Sequence, residues 1–296
     1  MNTAVAAGEV HNRPLAGILF IVAAIALLSV MDALAKWVLA SLAVPQMIAL
    51  RSVFVLALII AAQGRDMPRA IATRRPWAHA GRTALIAVSM LSFFEAMRHL
   101  PLATLVAISF GAPLFMTALS VPLLKERVGV HRWSAIVVGF VGVMVITRPG
   151  GAESFEPAAL LAIGASAMYA LAMVAMRGMV RTESDGALMF WQNLGVLAVS
   201  ATMAPFFWRP LDWAALGFVL AMAGLVWVSQ QLTIRAFRLA PVGAVAPFHY
   251  TELLWAALFG WLVWREVPAQ HVWLGAAIVV ASGLYVVFRE AQLRRV

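Results

Sequence analysis

Residues 15–40 read LAGILFIVAAIALLSVMDALAKWVLA, with Asp32 and Lys36 as the only charged side chains. A helix needs about 20 mainly apolar residues to cross the hydrocarbon of a bilayer. This stretch meets that length, and it is too long for the apolar core of a signal peptide. Comparable runs follow at 45–63, 78–98, 102–124, 131–148, 156–180, 186–205, 212–237, 242–264 and 270–289. The runs are continuously apolar and do not alternate with a period of two, which argues against a transmembrane β-barrel. The expected fold is an all-α integral membrane protein with ten transmembrane helices joined by short connections.

Composition agrees with that reading. Of 296 residues, 63% are hydrophobic and 12% charged, about half the charged share of an ordinary soluble domain. A soluble enzyme and a disordered chain are excluded, and with no cysteine so is a disulfide scaffold. The formal charge of +9 is spread in clusters between apolar runs. In a membrane protein such clusters set topology, so nucleic acid is not an expected partner. With ten spans and a cytoplasmic N-terminus, sixteen of the 22 basic residues fall on cytoplasmic segments, from Arg13 and Arg65 to Arg295. Arg98, Arg148, Arg209 and Arg265 fall outside, and Lys36 and Arg51 lie within spans. The positive-inside rule therefore predicts both termini in the cytoplasm.

The two halves resemble each other. A shift of 140 residues lays Glu95-Ala-Met-Arg-His-Leu-Pro101 on Arg235-Ala-Phe-Arg-Leu-Ala-Pro241. The same shift pairs Glu126 with Glu266, His131 with His271 and Trp133 with Trp273. A shift of 137 lays Ser29-Val-Met-Asp-Ala-Leu-Ala35 on Ser166-Ala-Met-Tyr-Ala-Leu-Ala172. The expected organisation is a five-helix repeat over 1–148 and a second over 149–296. Because five is odd, the second copy enters the membrane upside down. Inverted repeats are a hallmark of secondary transporters, whose substrate site lies near the midplane between the halves.

Pro122-Leu-Leu-Lys-Glu-Arg-Val128, then Trp133 and Gly139-Phe-Val-Gly-Val143, are echoed by Trp264-Arg-Glu-Val-Pro268 and the stretch Gly275 to Gly283. With Arg51 and Leu100-Pro101, this pattern resembles the paired EamA domains of the drug/metabolite transporter superfamily along nearly the whole chain. The resemblance implies ten helices in two inverted repeats, a bacterial inner-membrane location and transport of small metabolites. Within the superfamily the chain is most similar to bacterial aromatic amino-acid exporters, with S-adenosylmethionine carriers as close relatives. At the repeat equivalent of Arg51 the second half has no arginine and carries Gln192 and Asn193 nearby.

Ionisable groups inside a span are expensive and usually face a wet cavity or one another. Asp32 and Lys36 stand i, i+4 on one face of the first span. Arg51 enters the second span to roughly 9 Å, near the expected depth of Asp32. These three form a candidate charge cluster, read either as a structural lock between helices or as a gate that holds a substrate carboxylate. Glu252 lies about 15 Å into the ninth span and is the leading cavity acid, with His249 one turn earlier. The deep aromatics Tyr169, Tyr250, Trp191 and Trp227 are candidate cavity walls, or simply packing, and Gln230, Gln192 and Asn193 are candidate hydrogen-bonding groups for a zwitterion. Glu95, Glu126 and Glu266 sit at span ends beside basic neighbours and read as structural.

Gly111 and Pro113 interrupt the fourth span and Pro247 the ninth. Proline frees a carbonyl, which at depth is tolerated where protein or a wet cavity satisfies it, so paired interruptions point to a binding site.

The expected function is alternating-access transport of small amphipathic metabolites, amino acids first, with export favoured. Protons are a candidate coupling ion, the bilayer is the obligatory partner, and no cofactor or metal is expected. There is no Gly-rich phosphate loop and no His-Glu-x-x-His zinc motif. The rival from another class is an intramembrane enzyme, which would turn over substrate without a sealed membrane.

Overall fold

The computed structural model describes residues 14–124, 129–148, 157–179, 182–240 and 245–293. Glu126, Pro241 and the basic residues Arg13, Lys125, Arg127, Arg181, Arg294 and Arg295 lie outside them. Every regular element among the described residues is a helix. In order they form α1 (Pro14–Val38), α2 (Val44–Gln63), α3 (Met67–Ala70), α4 (Pro76–Met97), α5 (Leu102–Ser109), α6 (Ala112–Leu124) and α7 (Val130–Thr147). The second half gives α8 (Pro157–Arg177), α9 (Asp185–Met203), α10 (Trp213–Leu239), α11 (Glu252–Trp264) and α12 (Gln270–Leu293). Short 3-10 segments at Gly64–Asp66, Ala204–Phe207 and Ala246–Thr251 complete the path.

The helix starts follow local chemistry. Pro45 and Pro76 stand in the first turns of α2 and α4, where a missing amide proton is no loss. Ser184 Oγ accepts from Ala187 N at 3.0 Å to cap α9, and Asp212 Oδ1 accepts from Ala215 N at 2.6 Å to cap α10. Each cap satisfies one of the amides that a helix N-terminus leaves free.

Seven of the described helices are long and apolar enough to cross a membrane, the path from Leu102 to Leu123 counting as one. The three other expected spans fall on the shorter apolar segments Trp133–Thr147 and Gln270–Val286 and on α11. The surface is apolar too: Leu15, Leu19, Val53, Ile60, Val88, Leu160, Leu254 and Leu274 are exposed. An apolar exterior matches lipid as solvent. Trp77, Trp208 and Trp213 stand exposed at helix ends, as an interfacial aromatic belt requires.

Packing partners come in matched pairs. Helix α1 packs on α10 as α8 packs on α4, and α4 meets α9 as α10 meets α2. Helices α2 and α9 pack together, and so do α7 and α12. Exchanging the two halves maps this list onto itself. The α7–α12 contact is backbone-close: a Cβ on Gly142 would lie 2.9 Å from Gly275 O, and one on Gly275 would lie 2.6 Å from Gly142 O. Small residues that let helix backbones touch are the usual glue between membrane helices. At the centre lies α5, where Leu102, Ala103, Leu105, Val106, Ala107 and Ile108 are all buried.

Both expected interruptions are real breaks. Phe110 and Gly111 leave the helix in a turn, and α6 resumes at Ala112 with Pro113 in its first turn. In the ninth run the 3-10 segment containing Pro247 gives way to α11 at Glu252. Ala112 and Glu252 are 140 residues apart, the offset of the repeat, so the helix restarts at equivalent positions in the two halves.

Candidate functional site

Two sets of contacts tie the halves at opposite ends of the bundle. The upper end carries the turns at 39–43, 98–101 and 265–269. The lower end carries the connections at 64–75 and 178–184.

At the lower end Glu183 is buried and accepts from Arg74 N at 3.4 Å and His79 Nε2 at 3.1 Å. Ser184 Oγ donates to Ala70 O at 2.7 Å, Arg75 Nη1 to Gly178 O at 2.7 Å and Trp191 Nε1 to Ile71 O at 2.9 Å. Just inside, the buried Arg82 donates to Gln192 Oε1 at 2.9 Å and Leu188 O at 2.6 Å. Asn193 donates to Met189 O at 2.9 Å in its own helix. The structure therefore corrects one expectation: Gln192 Oε1 is held by Arg82 of α4, Trp191 Nε1 by Ile71 O, and Asn193 bonds within its own helix. A cavity of about 370 Å³ beside them is lined by His79, Thr83, Trp191 and Gly195 among others, and none of the central charged residues borders it.

The hydrogen bond from Thr73, then those from His79 and the Arg74 amide, hold the Glu183 carboxyl below its ordinary value, against an opposing push from burial. A carboxylate with a depressed folded-state pKa stabilises fully above its ordinary value of 4.5 and loses that contribution as the pH falls through the lower folded value. We expect Glu183→Gln to lower the melting temperature of the detergent-solubilised protein at neutral pH by several degrees. The variant should also lack the part of the acid destabilisation below 4.5 that the parent shows. Thermal melts across that range test both.

The upper end is a second correction. Lys36 does not join Asp32 and Arg51. Its ammonium lies 2.5 Å from Glu266 Oε1 and 2.9 Å from Leu100 O, and 5.2 Å from the centre of the Trp264 ring. Gln46 and the backbone of Arg209 add a reciprocal pair at 2.8 and 3.1 Å. Glu95 Oε1 lies 3.4 Å from both Arg98 Nη1 and His99 Nε2.

Between these ends the structure gathers Asp32, Arg51, Glu252 and Tyr169. Asp32 and Arg51 are 6% and 8% exposed. Asp32 lies within electrostatic range of both Glu252 and Arg51, and Tyr169 within range of Glu252. No ion pair within 4.0 Å neutralises either acid among the described residues. Arg51 instead rests 5.4 Å from the centre of the Phe94 ring, with Nη2 3.7 Å from Met90 Sδ. Asp32 and Tyr169, laid on each other by the 137-residue shift, both lie near Glu252. Tyr169 is 42% exposed. Glu252, as the first residue of α11, sits at the positive end of a helix dipole.

Buried polar atoms without a hydrogen-bond partner include Ser29 Oγ, Ser52 Oγ and Trp255 Nε1 on the helices that carry this group, and His79 Nδ1 and Arg82 Nε at the lower end. Ser29 and Trp255 are one helical turn from Asp32 and Glu252, and Ser52 adjoins Arg51. Buried polar atoms are nearly always paired, so each marks unused hydrogen-bonding capacity. Ser29 and Ser52 are not among the residues that the sequence singles out as candidates.

The remaining expected residues divide. His249 is exposed and Trp227 and Gln230 are half-buried, with no hydrogen bond among the described residues. Tyr250 makes an edge-to-face contact with Phe110 at 5.1 Å, and its hydroxyl fills the place that a Cβ on Gly283 would take. It is a packing link among α5, α12 and the 3-10 segment.

Fold, apolar exterior and buried charges together define a multi-pass membrane protein with a polar centre. The sequence profile of the EamA-like transporter family matches this chain twice, over residues 15–148 and 156–288. The chain belongs to that family, within the drug/metabolite transporter superfamily. It is 30% identical over 222 residues to a protein of Rickettsia bellii named S-adenosylmethionine uptake transporter, covering 74% of this chain and 75% of the relative. It is 25% identical over 289 residues to a riboflavin transporter of Brucella anthropi, covering 93% and 99%. A pseudopaline exporter of Pseudomonas aeruginosa is 26% identical over 271 residues, covering 90% and 94%. One solved crystal structure superposes with a TM-score of 0.63 at 19% identity, covering 94% of this chain and 98% of the other, and shares the fold.

Proposed function

We propose that this transporter is a secondary carrier that moves small amphipathic metabolites with an amino-acid end across the bacterial inner membrane by alternating access. In this reading ten spans form two inverted five-helix repeats, both termini are cytoplasmic and the upper end faces the periplasm. The matched packing of the two halves and the helix restarts at Ala112 and Glu252 support it.

The observation that carries the chemistry is the convergence of Asp32, Arg51 and Glu252. Arg51 takes a substrate carboxylate, for which a guanidinium is the best side chain. Asp32 and Glu252 take an amine. With both acids ionised the group holds one more negative than positive charge, so a net cationic or zwitterionic ligand is favoured over an anion. Tyr169 offers a ring face for a planar or sulfonium-bearing group.

Amino acids with planar side chains fit this arrangement, and export is the expected direction. S-adenosylmethionine is the second reading: it carries an amino-acid end, a planar base and an additional positive charge, and the excess of acids favours it. The test is counterflow in proteoliposomes against labelled aromatic and aliphatic amino acids and S-adenosylmethionine at two pH values, with efflux and uptake read separately. Saturable flux of a zwitterion or cation is expected. Flux confined to uncharged or anionic compounds would refute the assignment.

A further inference from the structure

The upper contact lies on the same two helices as the central acids. Asp32 and Lys36 are one turn apart on α1. Glu252 opens α11, and Glu266 follows its end by two residues. The chain leaves α11 through Arg265 in the left-handed region, φ 58°, and Glu266 N donates back to Gly260 O at 3.1 Å. This turn brings the Glu266 carboxylate over the start of α5. There Oε1 meets Lys36, and Oε2 accepts from Leu102 N at 3.1 Å. Lys36 also holds Leu100 O. One carboxylate and one ammonium thus fasten α1, the α4–α5 turn and the α11–α12 turn into a single knot, with side chains 10% and 24% exposed.

Around the knot the two interrupted spans behave unequally. Their upper segments, α5 and α11, pack against each other, and α1 packs on α11. Their lower segments, α6 and residues 246–251, make no comparable contact among the described residues. Above the knot lies a cavity of about 460 Å³ bordered by Lys36, Arg98, His99, Trp264 and Glu266.

We propose that the Lys36–Glu266 pair is the seal of the transport path at the upper end, and that it must part for α11 to leave α1 and α5. The proposal rests on the carrier reading above. Its logic is mechanical: whatever Asp32 and Glu252 bind acts on the same two helices that the seal joins. A partly buried, hydrogen-bonded pair suits a latch, since removing one partner leaves the other desolvated and unpaired.

The chain has no cysteine, so one introduced thiol is the only target for a membrane-impermeant reagent. Ser29→Cys places it in a buried, unpartnered position one turn beneath Asp32. Ser120→Cys, also buried but in α6, reports general loosening. In sealed vesicles labelled from the upper side, the Ser29→Cys protein should react slowly. Glu266→Gln or Lys36→Met should speed that reaction by about tenfold, a change of about 1.4 kcal/mol in the opening equilibrium. Lys36→Arg, which keeps the pair, should leave it slow, and Ser120→Cys should not respond to any of them. An unchanged rate in both Glu266→Gln and Lys36→Met overturns the proposal. So does a parallel rise at Ser120→Cys, which would mean that the pair only holds the fold. The readout needs no substrate, so it can fail while the transported compound is as proposed, or succeed when it is not.

Discussion

Glu252→Gln should cut saturable flux by at least about tenfold while leaving the amount of protein in the membrane unchanged. The carboxylate has no ion-pair partner within 4.0 Å among the described residues, so its loss orphans no bonded group. The fold therefore tolerates the amide. A ligand amine does not, because the attraction between a buried carboxylate and an ammonium is worth about 2–5 kcal/mol when one partner is removed. Even the lower figure exceeds a tenfold effect. The loss should be larger for a net cation such as S-adenosylmethionine than for an uncharged planar compound, and any pH dependence of flux should flatten. Initial rates in proteoliposomes at matched protein density decide it. Flux and pH profile equal to those of the parent would remove Glu252 from the site.

Arg51→Met should do more, and to both stability and transport. Arg51 is 8% exposed and is the cation that Asp32 senses. Without it Asp32 and Glu252 face each other as like charges in a poorly solvated interior, and breaking a buried charge arrangement costs about 3–5 kcal/mol. We expect a lowered melting temperature and flux below detection. Arg51→Lys separates the two effects. It keeps the charge but loses the planar fork and with it the fit to a carboxylate and the stacking over Phe94 at 5.4 Å. Protein with lysine should accumulate normally and transport an amino acid about tenfold more slowly, with a smaller loss for the corresponding decarboxylated amine. Equal losses for the two compounds would deny Arg51 its carboxylate role.

The sequence disclosed more of the fold than of the site, for physical reasons. Span length, helix breaks at proline and the spacing of two similar halves are local or periodic features, so they can be read in one dimension. Asp32, Arg51 and Glu252 stood out because charge is rare in a span. Lys36 was grouped with Asp32 on the same logic. The i, i+4 spacing was correct, but a lysine stem is long enough to reach Glu266, 230 residues away, and no spacing rule reaches that far. Trp191 and Gln192 were misassigned because their depth along a helix says nothing about which neighbour fills their hydrogen bonds. His79, Arg82 and Glu183, which form the lower clasp, look like ordinary charged residues near span ends. Ser29 and Ser52 carry no such signal, because an unpaired polar atom is a property of its surroundings.

In the proposed carrier the second half lies in the membrane upside down relative to the first. Arg69 and Arg209, one in each half and both exposed, are 140 residues apart in corresponding connections. Single cysteines placed at these two positions, treated with an impermeant thiol reagent in intact cells and in inverted vesicles, read the claim directly. Position 209 should react only from outside the cell and position 69 only from the cytoplasmic side. Labelling of both from one side would contradict the account.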